Sequence, residues 1–289
     1  MKNLYEYFNW KIADRIILKA LKEDVGNGDV TSELLIPEKG NSKAEVLLKE
    51  DSVIAGLLIF RRVFEIIDKK IIISLKSHDG VFYKKSKILA LMSGNTRNML
   101  KGERVALNIL QRLSGIANAT YMMKKKLNNK YIKLIDTRKT TPNFRIFEKL
   151  AVKAGGGDNH RMGLYDMILI KDNHINANGG IEKTLLKLKK KMNRRKLIAE
   201  IEVKSLKEVK IVQRLGKGLI DIIMLDNFEI SEIRKAVAMN KSKFLIEISG
   251  GISAGNIGKF SGLRGVDLIS SGSLTHSVKS TDIALNFIT

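Results

Sequence analysis

Two hydrophobic rhythms divide this chain of 289 residues. Up to about residue 100 they mix. Ile12 to Leu21 repeats apolar side chains at helical spacing until the turn residues Val25-Gly26-Asn27-Gly28-Asp29 break the pattern. Ala44 to Leu48 reads as a strand, Leu57 to Ile67 as an amphipathic helix, and Ile71 to Leu75 and Ile88 to Met92 as further strands. Ser93-Gly94-Asn95 predicts a turn, and His78, beside Asp79-Gly80, predicts an exposed one. A long helix follows from Leu100 to Leu127, with Val105, Ile109, Leu110, Leu113 and Ile116 on one face.

From residue 131 the rhythm changes to short apolar runs separated by helix-length segments. The runs are Tyr131 to Ile135, Met167 to Ile170, Leu197 to Val203, Ile222 to Leu225, Phe244 to Ile248 and Val266 to Ile269. The last four recur about every 23 residues, enough for a strand, a helix and two short loops. Repeated βα units predict a parallel sheet, and six runs predict an incomplete α/β barrel of the TIM type, six- to seven-stranded. The expected domains are 1–103, an α/β layer, and 104–277, the barrel. Asp282 to Ile288 reads as a short helix, with 278–289 packing back onto the first domain.

The chemistry collects at the ends of these runs, where barrel enzymes keep their active sites. The ends carry Asp136, Arg138 and Lys139; Lys171 and Asp172; Glu200 and Glu202; Asp226 and Asn227; Ser249, Gly250 and Gly251; Ser271, Gly272 and Ser273. A Gly155-Gly156-Gly157 run leads into Asn159-His160-Arg161. Close groups of Arg, Lys and His describe a pocket for a small polyanion. Glu200 and Glu202 are two apart, so both face one side of a strand and need cations or hydroxyls there. Nearby Lys and Arg or a bound Mg²⁺ could supply them, and a purely structural Glu–Lys network stays open for both. The two glycine turns, Ser249-Gly250-Gly251 and Ser271-Gly272, predict a phosphate cup. Arg104 sits near a helix start, where its charge opposes the dipole, and this favours a ligand role. A cup, carboxylates suited to hydroxyls and Mg²⁺, and a cationic wall fit a ribose 5-phosphate bearing pyrophosphate, with an aromatic or small polycarboxylate beside it. No Ser–His–acid set stands out, so the chemistry is of charge placement.

Composition narrows this. With no cysteine, disulfides and thiolate chemistry are excluded, and four histidines leave little for a multi-histidine metal site. The net charge of +22 would suit a nucleic-acid binder. Yet the dense runs, Lys124-Lys125-Lys126 and Lys187 to Lys196, read as helix surface, and aromatics at 6% do not interleave with them. The excess is expected to be solvated surface. Apolar stretches such as Leu57 to Phe60 are too short for a bilayer, and the first residues lack the pattern of a signal peptide, so a cytoplasmic protein is expected.

The motifs Asp136-Thr137-Arg138-Lys139-Thr140-Thr141-Pro142, Phe147 to Leu164 with its Gly155-Gly156-Gly157 run, and Ile168-Leu169-Ile170-Lys171-Asp172-Asn173-His174-Ile175 resemble the quinolinate phosphoribosyltransferase family. The likeness runs from Glu23-Asp24-Val25-Gly26-Asn27-Gly28-Asp29 to Leu274-Thr275-His276-Ser277. It implies an N-terminal α/β sandwich joined to the incomplete barrel, in a homodimer with shared active sites. It also implies phosphoribosyl transfer from phosphoribosyl pyrophosphate (PRPP) to quinolinate, with Mg²⁺, decarboxylation and release of nicotinate mononucleotide. By that likeness Arg138, His160, Arg161 and Lys171 grip quinolinate, and Arg104 reaches in from the neighbouring subunit. Lys139, Glu202 and Asp226 engage PRPP, the two acids also its metal, directly or through water. Ser249, Gly250, Gly251, Ser271, Gly272 and His276 hold the 5-phosphate. Asn143 and Ser271 stand where Gly and Val are usual, and Glu247-Ile248-Ser249 where Glu-Ala-Ser is. A paralogous phosphoribosyltransferase of molybdate operons is the nearest rival; the full Lys171-Asp172-Asn173-His174 motif favours the quinolinate enzyme.

Overall fold

The computed structural model describes residues 4–192, 197–241 and 244–288. The end of the Lys187 to Lys196 run, 193–196, lies outside the described residues. Two compact units form: Met1–Met122 with Thr140–Gly156 and Leu274–Thr289, and Met123–Lys139 with Gly157–Ser273.

The first unit opens with helix α1 (Trp10–Val25), whose Asn9 side chain accepts from the Ile12 N–H at 3.2 Å. The turn after it ends at Asp29, which caps α2 (Val30–Leu35) by accepting from the Ser32 N–H. Then come β1 (Asn41–Leu48), β2 (Ser52–Val53), α3 (Leu57–Ile67), β3 (Ile72–Leu75), β4 (Phe82–Tyr83), β5 (Ile88–Asn95) and α4 (Thr96–Leu127). The apolar stripe of α3 is buried through Leu57, Ile59, Phe60, Val63 and Phe64, and that of α4 through Val105, Ile109, Leu110, Leu113 and Ile116. His78 is exposed, as expected.

Two expectations fail here. Ser93-Gly94-Asn95 is not a turn: it continues β5, with Asn95, Gly94 and Ser93 opposite Asn41, Ser42 and Lys43. Gly94 marks a close approach, since a Cβ there would lie 2.9 Å from Ile71 Cγ1. Asp282 to Ile288 is not a helix either. Ile283–Ile288 is a strand antiparallel to β1, pairing Ile283 with Leu48 through to Ile288 with Lys43. Burial alternates at Ile283 and Leu285, a period-2 signal too short to stand out in the sequence.

The second unit is built on a parallel sheet. Continuing along the chain, the elements are β6 (Lys133–Ile135), α5 (Arg145–Ala154, in the first unit), β7 (Ile168–Ile170), α6 (Asp172–Ala177), α7 (Ile181–Lys191) and β8 (Ala199–Val203). They are followed by α8 (Leu206–Leu215), β9 (Ile222–Asp226), α9 (Ile230–Met239), β10 (Leu245–Ser249) and β11 (Leu268–Ser270). The order β6-β11-β10-β9-β8-β7 puts the first strand beside the last, so the sheet curls and stays open between β6 and β7. Asp158 lines the open edge: Asp136 N–H donates to its carbonyl at 3.1 Å and its own N–H to Leu134 at 2.8 Å. The six runs of the sequence are these six strands, and the incomplete barrel is confirmed. Helices α7, α8 and α9 bury Leu185, Val209, Val212, Ile233 and Ala236. No helix among the described residues is long and apolar enough to cross a membrane.

Gly155, just after α5, has no room for a side chain: a Cβ would stand 2.3 Å from the Ala117 carbonyl oxygen and 2.6 Å from Thr120 Cβ. Gly155→Ala should therefore cost about 1–3 kcal/mol through overpacking, seen as a lower urea midpoint with an unchanged slope. An unchanged midpoint would mean that α4 and α5 part there without penalty.

Candidate active site

Asp136, one residue past β6, is fully buried. Its Oδ1 accepts the His160 backbone N–H at 2.9 Å, and its Oδ2 accepts the Asn159 amide at 2.5 Å. This draws the segment after the glycine run onto the end of the sheet. The His160 ring then meets two acids from inside the strands: Nε2 is 2.8 Å from Glu200 Oε2 on β8 and 3.8 Å from Glu247 Oε2 on β10. Arg161 is 8% exposed, and Nη1 donates to the Met167 carbonyl at 3.3 Å. Burial, and then the neighbouring charge of Arg138, lowers the pKa of its guanidinium. Two guanidiniums held this close are arranged for an anion.

Lys171, just past β7, reaches Glu202 Oε2 at 3.2 Å. Its backbone N–H donates to His174 Nδ1 at 3.0 Å, which explains the fixed spacing of Lys171-Asp172-Asn173-His174. Lys204, one residue past β8, bonds Asp172 at 2.7 Å. Asp172 raises the pKa of Lys204, with Glu202 and Asp226 adding to it. Lys204 was not singled out in the sequence because a lone Lys after a strand looks like surface. Glu247 was missed as a site residue too; its signal was a charge in the middle of an apolar run.

Glu200 and Glu247 are both fully buried, and Glu200 Oε1 and both Glu247 oxygens lack a hydrogen-bond partner. Burial pushes both carboxyls well above the ordinary range, and for Glu247 the charge of Glu200 adds to it. The pair behaves as a unit that keeps a proton. With His160, these are also a group whose ligand atoms fall within 4.8 Å of one another. Ligands of a tetrahedral metal stand about 3.3 Å apart. The 2.8 Å contact is instead a hydrogen bond, and a proton serves there.

Between β8 and β10, Asp226 closes β9 and Asn227 follows with φ of 58°. Gly250 has φ of 100°, and a Cβ on it would lie 2.2 Å from Asn227 Oδ1. Only glycine fits. Gly251, with φ of 60°, has open space where a Cβ would be. The Ser249 hydroxyl accepts from Ser270 at 3.1 Å. Ser271 offers little to a ligand: its N–H donates to Ile135 at 3.1 Å and its hydroxyl to Ile252 at 2.6 Å. Its place in the expected phosphate set is thus structural, while the half-buried Gly272 beside it stays in the turn.

Lys139 is exposed, with its N–H on Thr137 Oγ1 at 3.0 Å. Asn143 adopts φ of 62°, the conformation that lets it stand in for glycine. Within the first unit, Arg104 lines a cavity of about 350 Å³ together with Glu23, Asp24, Asn108, Arg112 and Phe144. His276 is exposed there, with Nδ1 2.6 Å from Ser277 Oγ.

The quinolinate phosphoribosyl transferase C-terminal domain matches residues 116–286, and the N-terminal domain of the same enzyme matches 29–114. A probable nicotinate-nucleotide pyrophosphorylase (carboxylating) of Bacillus subtilis strain 168 is 40% identical over 264 residues, covering 91% of this chain and 89% of that one. A mitochondrial quinolinate phosphoribosyltransferase (decarboxylating) 2a of Nicotiana tabacum is 40% identical over 285 residues, covering 93% and 80%. Among solved structures, NadC from Streptococcus pyogenes superposes with a TM-score of 0.90 at 39% identity, covering 97% of this chain and 98% of that one. The nicotinate-nucleotide pyrophosphorylase from Francisella tularensis gives 0.90 at 35% identity over the whole of both.

The buried acid pair has a pH signature. The folded protein keeps a proton on Glu247 that the unfolded chain gives up near 4.5. Above that pH the folded state binds more protons than the unfolded one, so stability falls as pH rises, by about 1.4 kcal/mol per unit for one retained proton. Glu247→Gln removes that slope. Its unfolding midpoint, measured from pH 5 to 8, should gain on wild type as pH rises; parallel curves would show that Glu247 is ionised in the fold.

Proposed function

The chain belongs to the quinolinate phosphoribosyltransferase family, and from that premise we propose how its own residues carry the reaction. The enzyme transfers the phosphoribosyl group of PRPP to quinolinate with loss of carbon dioxide, giving nicotinate mononucleotide and pyrophosphate in NAD biosynthesis. The observation that carries the residue assignment is the pairing of Arg138 with the buried Arg161 at a sheet end that also holds Lys171. Two carboxylates on adjacent ring atoms need this density of donors.

Arg138, His160, Arg161 and Lys171 hold the two carboxylates and fix the ring nitrogen against C1′ of the ribose. The bond from C1′ to pyrophosphate breaks first, through an oxocarbenium-like transition state, and the nitrogen then bonds to C1′. Glu202 and Asp226 stabilise the positive charge that develops on the sugar and bind its hydroxyls. Lys139 takes up charge on the departing pyrophosphate. Ser249, Gly250, Gly251, Gly272 and His276 hold the 5-phosphate. The carboxylate next to the now quaternary nitrogen leaves as carbon dioxide, its electron pair remains on the ring carbon, and a proton closes the valence. No general base is required.

The donor set fits Mg²⁺. Glu202 and Asp226 are hard oxygen donors near enough to share the ammonium of Lys204, and they suit an ion bound chiefly through water and phosphate. When bound, it would neutralise charge on the pyrophosphate. The working form is a cytoplasmic homodimer in which Arg104 of each subunit completes the quinolinate wall of the other.

Purified protein given PRPP and Mg²⁺ should make nicotinate mononucleotide from quinolinate and none from nicotinate; product from neither would move the substrate to another acid. Arg138→Ala and Lys171→Ala should each lower kcat/KM for quinolinate about 100-fold, with the KM for PRPP little changed. Equal loss for both substrates would take these residues off the quinolinate wall. Arg104→Ala subunits mixed with Lys139→Ala subunits should regain part of the activity through one intact shared site. No recovery in verified mixed dimers would count against the cross-subunit role.

A further inference from the structure

Asp136, Glu200 and Glu247 take no part in the steps above, yet all three are fully buried. Glu200 lies on β8 and Glu247 on β10, and Asp136 follows β6 by one residue; these are alternate strands in the order β6-β11-β10-β9-β8-β7. Side chains from alternate strands form one layer inside a barrel, so Glu200 and Glu247 share a layer beneath the substrate end, and Asp136 stands at the exit of the strand on the far side of β11 from β10. A barrel layer is ordinarily filled by Val, Ile or Leu, and three acids in their place need a reason.

One segment docks on all three. Asp136 takes the Asn159 amide through one oxygen and the His160 backbone N–H through the other, at 2.5 and 2.9 Å. Glu200 bonds the His160 ring at 2.8 Å, and Glu247 stands 3.8 Å from the same nitrogen. Backbone and ring of His160 are thus fixed from three strands. Arg161 leaves the segment at the next position with almost no exposed surface in which to turn.

We propose that Asp136, Glu200 and Glu247 are positioning residues for the substrate acid: they lock His160 and Arg161 in the orientation that meets two neighbouring carboxylates. This rests on the reading of His160 and Arg161 as quinolinate-gripping residues. None of the three acids touches substrate. Their effect passes through the 159–161 segment, so it falls on quinolinate and spares PRPP.

Three substitutions test it. Glu200→Gln keeps a group that can either donate to or accept from the ring, whereas Glu200→Leu keeps the volume without the bond. Glu200→Gln should hold the quinolinate KM within about threefold of wild type, and Glu200→Leu should raise it about tenfold or more, with the PRPP KM unchanged in both. Asp136→Asn can accept from only one of its two donors, and it should raise the quinolinate KM about tenfold as well. A KM unchanged in Glu200→Leu, or quinolinate and PRPP values that rise together, would overturn the proposal.

An activity-free arm separates this from the reaction itself. With only four histidines, the ring nitrogens of histidine-labelled protein can be resolved by NMR. The proton between His160 Nε2 and Glu200 should exchange slowly in wild type and Glu200→Gln, and be lost in Glu200→Leu. A wild-type ring proton in fast exchange would sink the positioning role whatever the enzyme turns over. Wild-type protein that keeps this signal but makes no product would sink the substrate reading alone.

Discussion

A carboxylate enclosed in a β-sheet has to be met by a proton or a cation, because leaving it bare costs more than the sheet can return. The second unit meets that demand four times. Asp136 is answered by the backbone and amide of 159–160, Glu200 by the His160 ring, Glu247 by a proton that its burial retains, and Glu202 by Lys171. The positions of the cations follow from those of the acids. His160 and Lys171 stand where they do because fixed strands hold an unmet charge opposite them.

Parallel strands make this possible at one end only. All six run the same way, so each hands its next residue to the same rim, and the helices return the chain outside the sheet. The rim thereby collects Arg138, Lys171, Lys204 and Asp226 from residues that lie up to 88 positions apart in the chain. The glycine at 250 belongs to the same logic. Its Cβ would overlap Asn227, the residue that leaves β9 beside it, so two neighbouring strand exits come together only through a bare backbone.

Much of this was legible in the sequence because strands buried on both faces show as short, mostly apolar runs, and all six barrel strands were marked that way even where a charge interrupts the run. Helices α1, α3 and α4 of the first unit were equally plain through their apolar stripes, whereas α2, at Val30–Leu35, was too short to stand out. What stayed hidden depended on partners far along the chain. Ile283–Ile288 is a strand because β1 lies beside it, and nothing within those six residues says so. Ser93-Gly94-Asn95 carries turn residues, yet pairing with β1 overrides their local preference. At the site, charged residues at the strand ends were found, whereas Lys204 had no motif around it and Glu247 sits inside its strand, not at the end. Ser271 shows the converse: its glycine-turn setting suggested a phosphate ligand, yet its N–H is bound to Ile135 of β6 and its hydroxyl to Ile252 in the loop after β10.

Depth sorts the acids of the sheet into two kinds. Glu200 and Glu247 have no contact with solvent, and burial raises their pKa values, so the interior favours their neutral forms. Nearer the rim, Glu202 keeps 7% of its side chain exposed beside Lys171. Asp172, 38% exposed, has its pKa lowered chiefly by its bond to Lys204. The acids that shape the site are therefore pushed toward their neutral forms, while those that meet the ligand are paired with Lys171 and Lys204. A fully ionised lower layer would cancel the pull of Arg138 and Arg161 on an anion just above it. The proton kept by the Glu200–Glu247 pair lets it anchor His160 with less negative charge set against the guanidiniums. Buried acids and an anion-binding rim are then compatible in one sheet, and the condition for it is the exclusion of water that the surrounding strands provide.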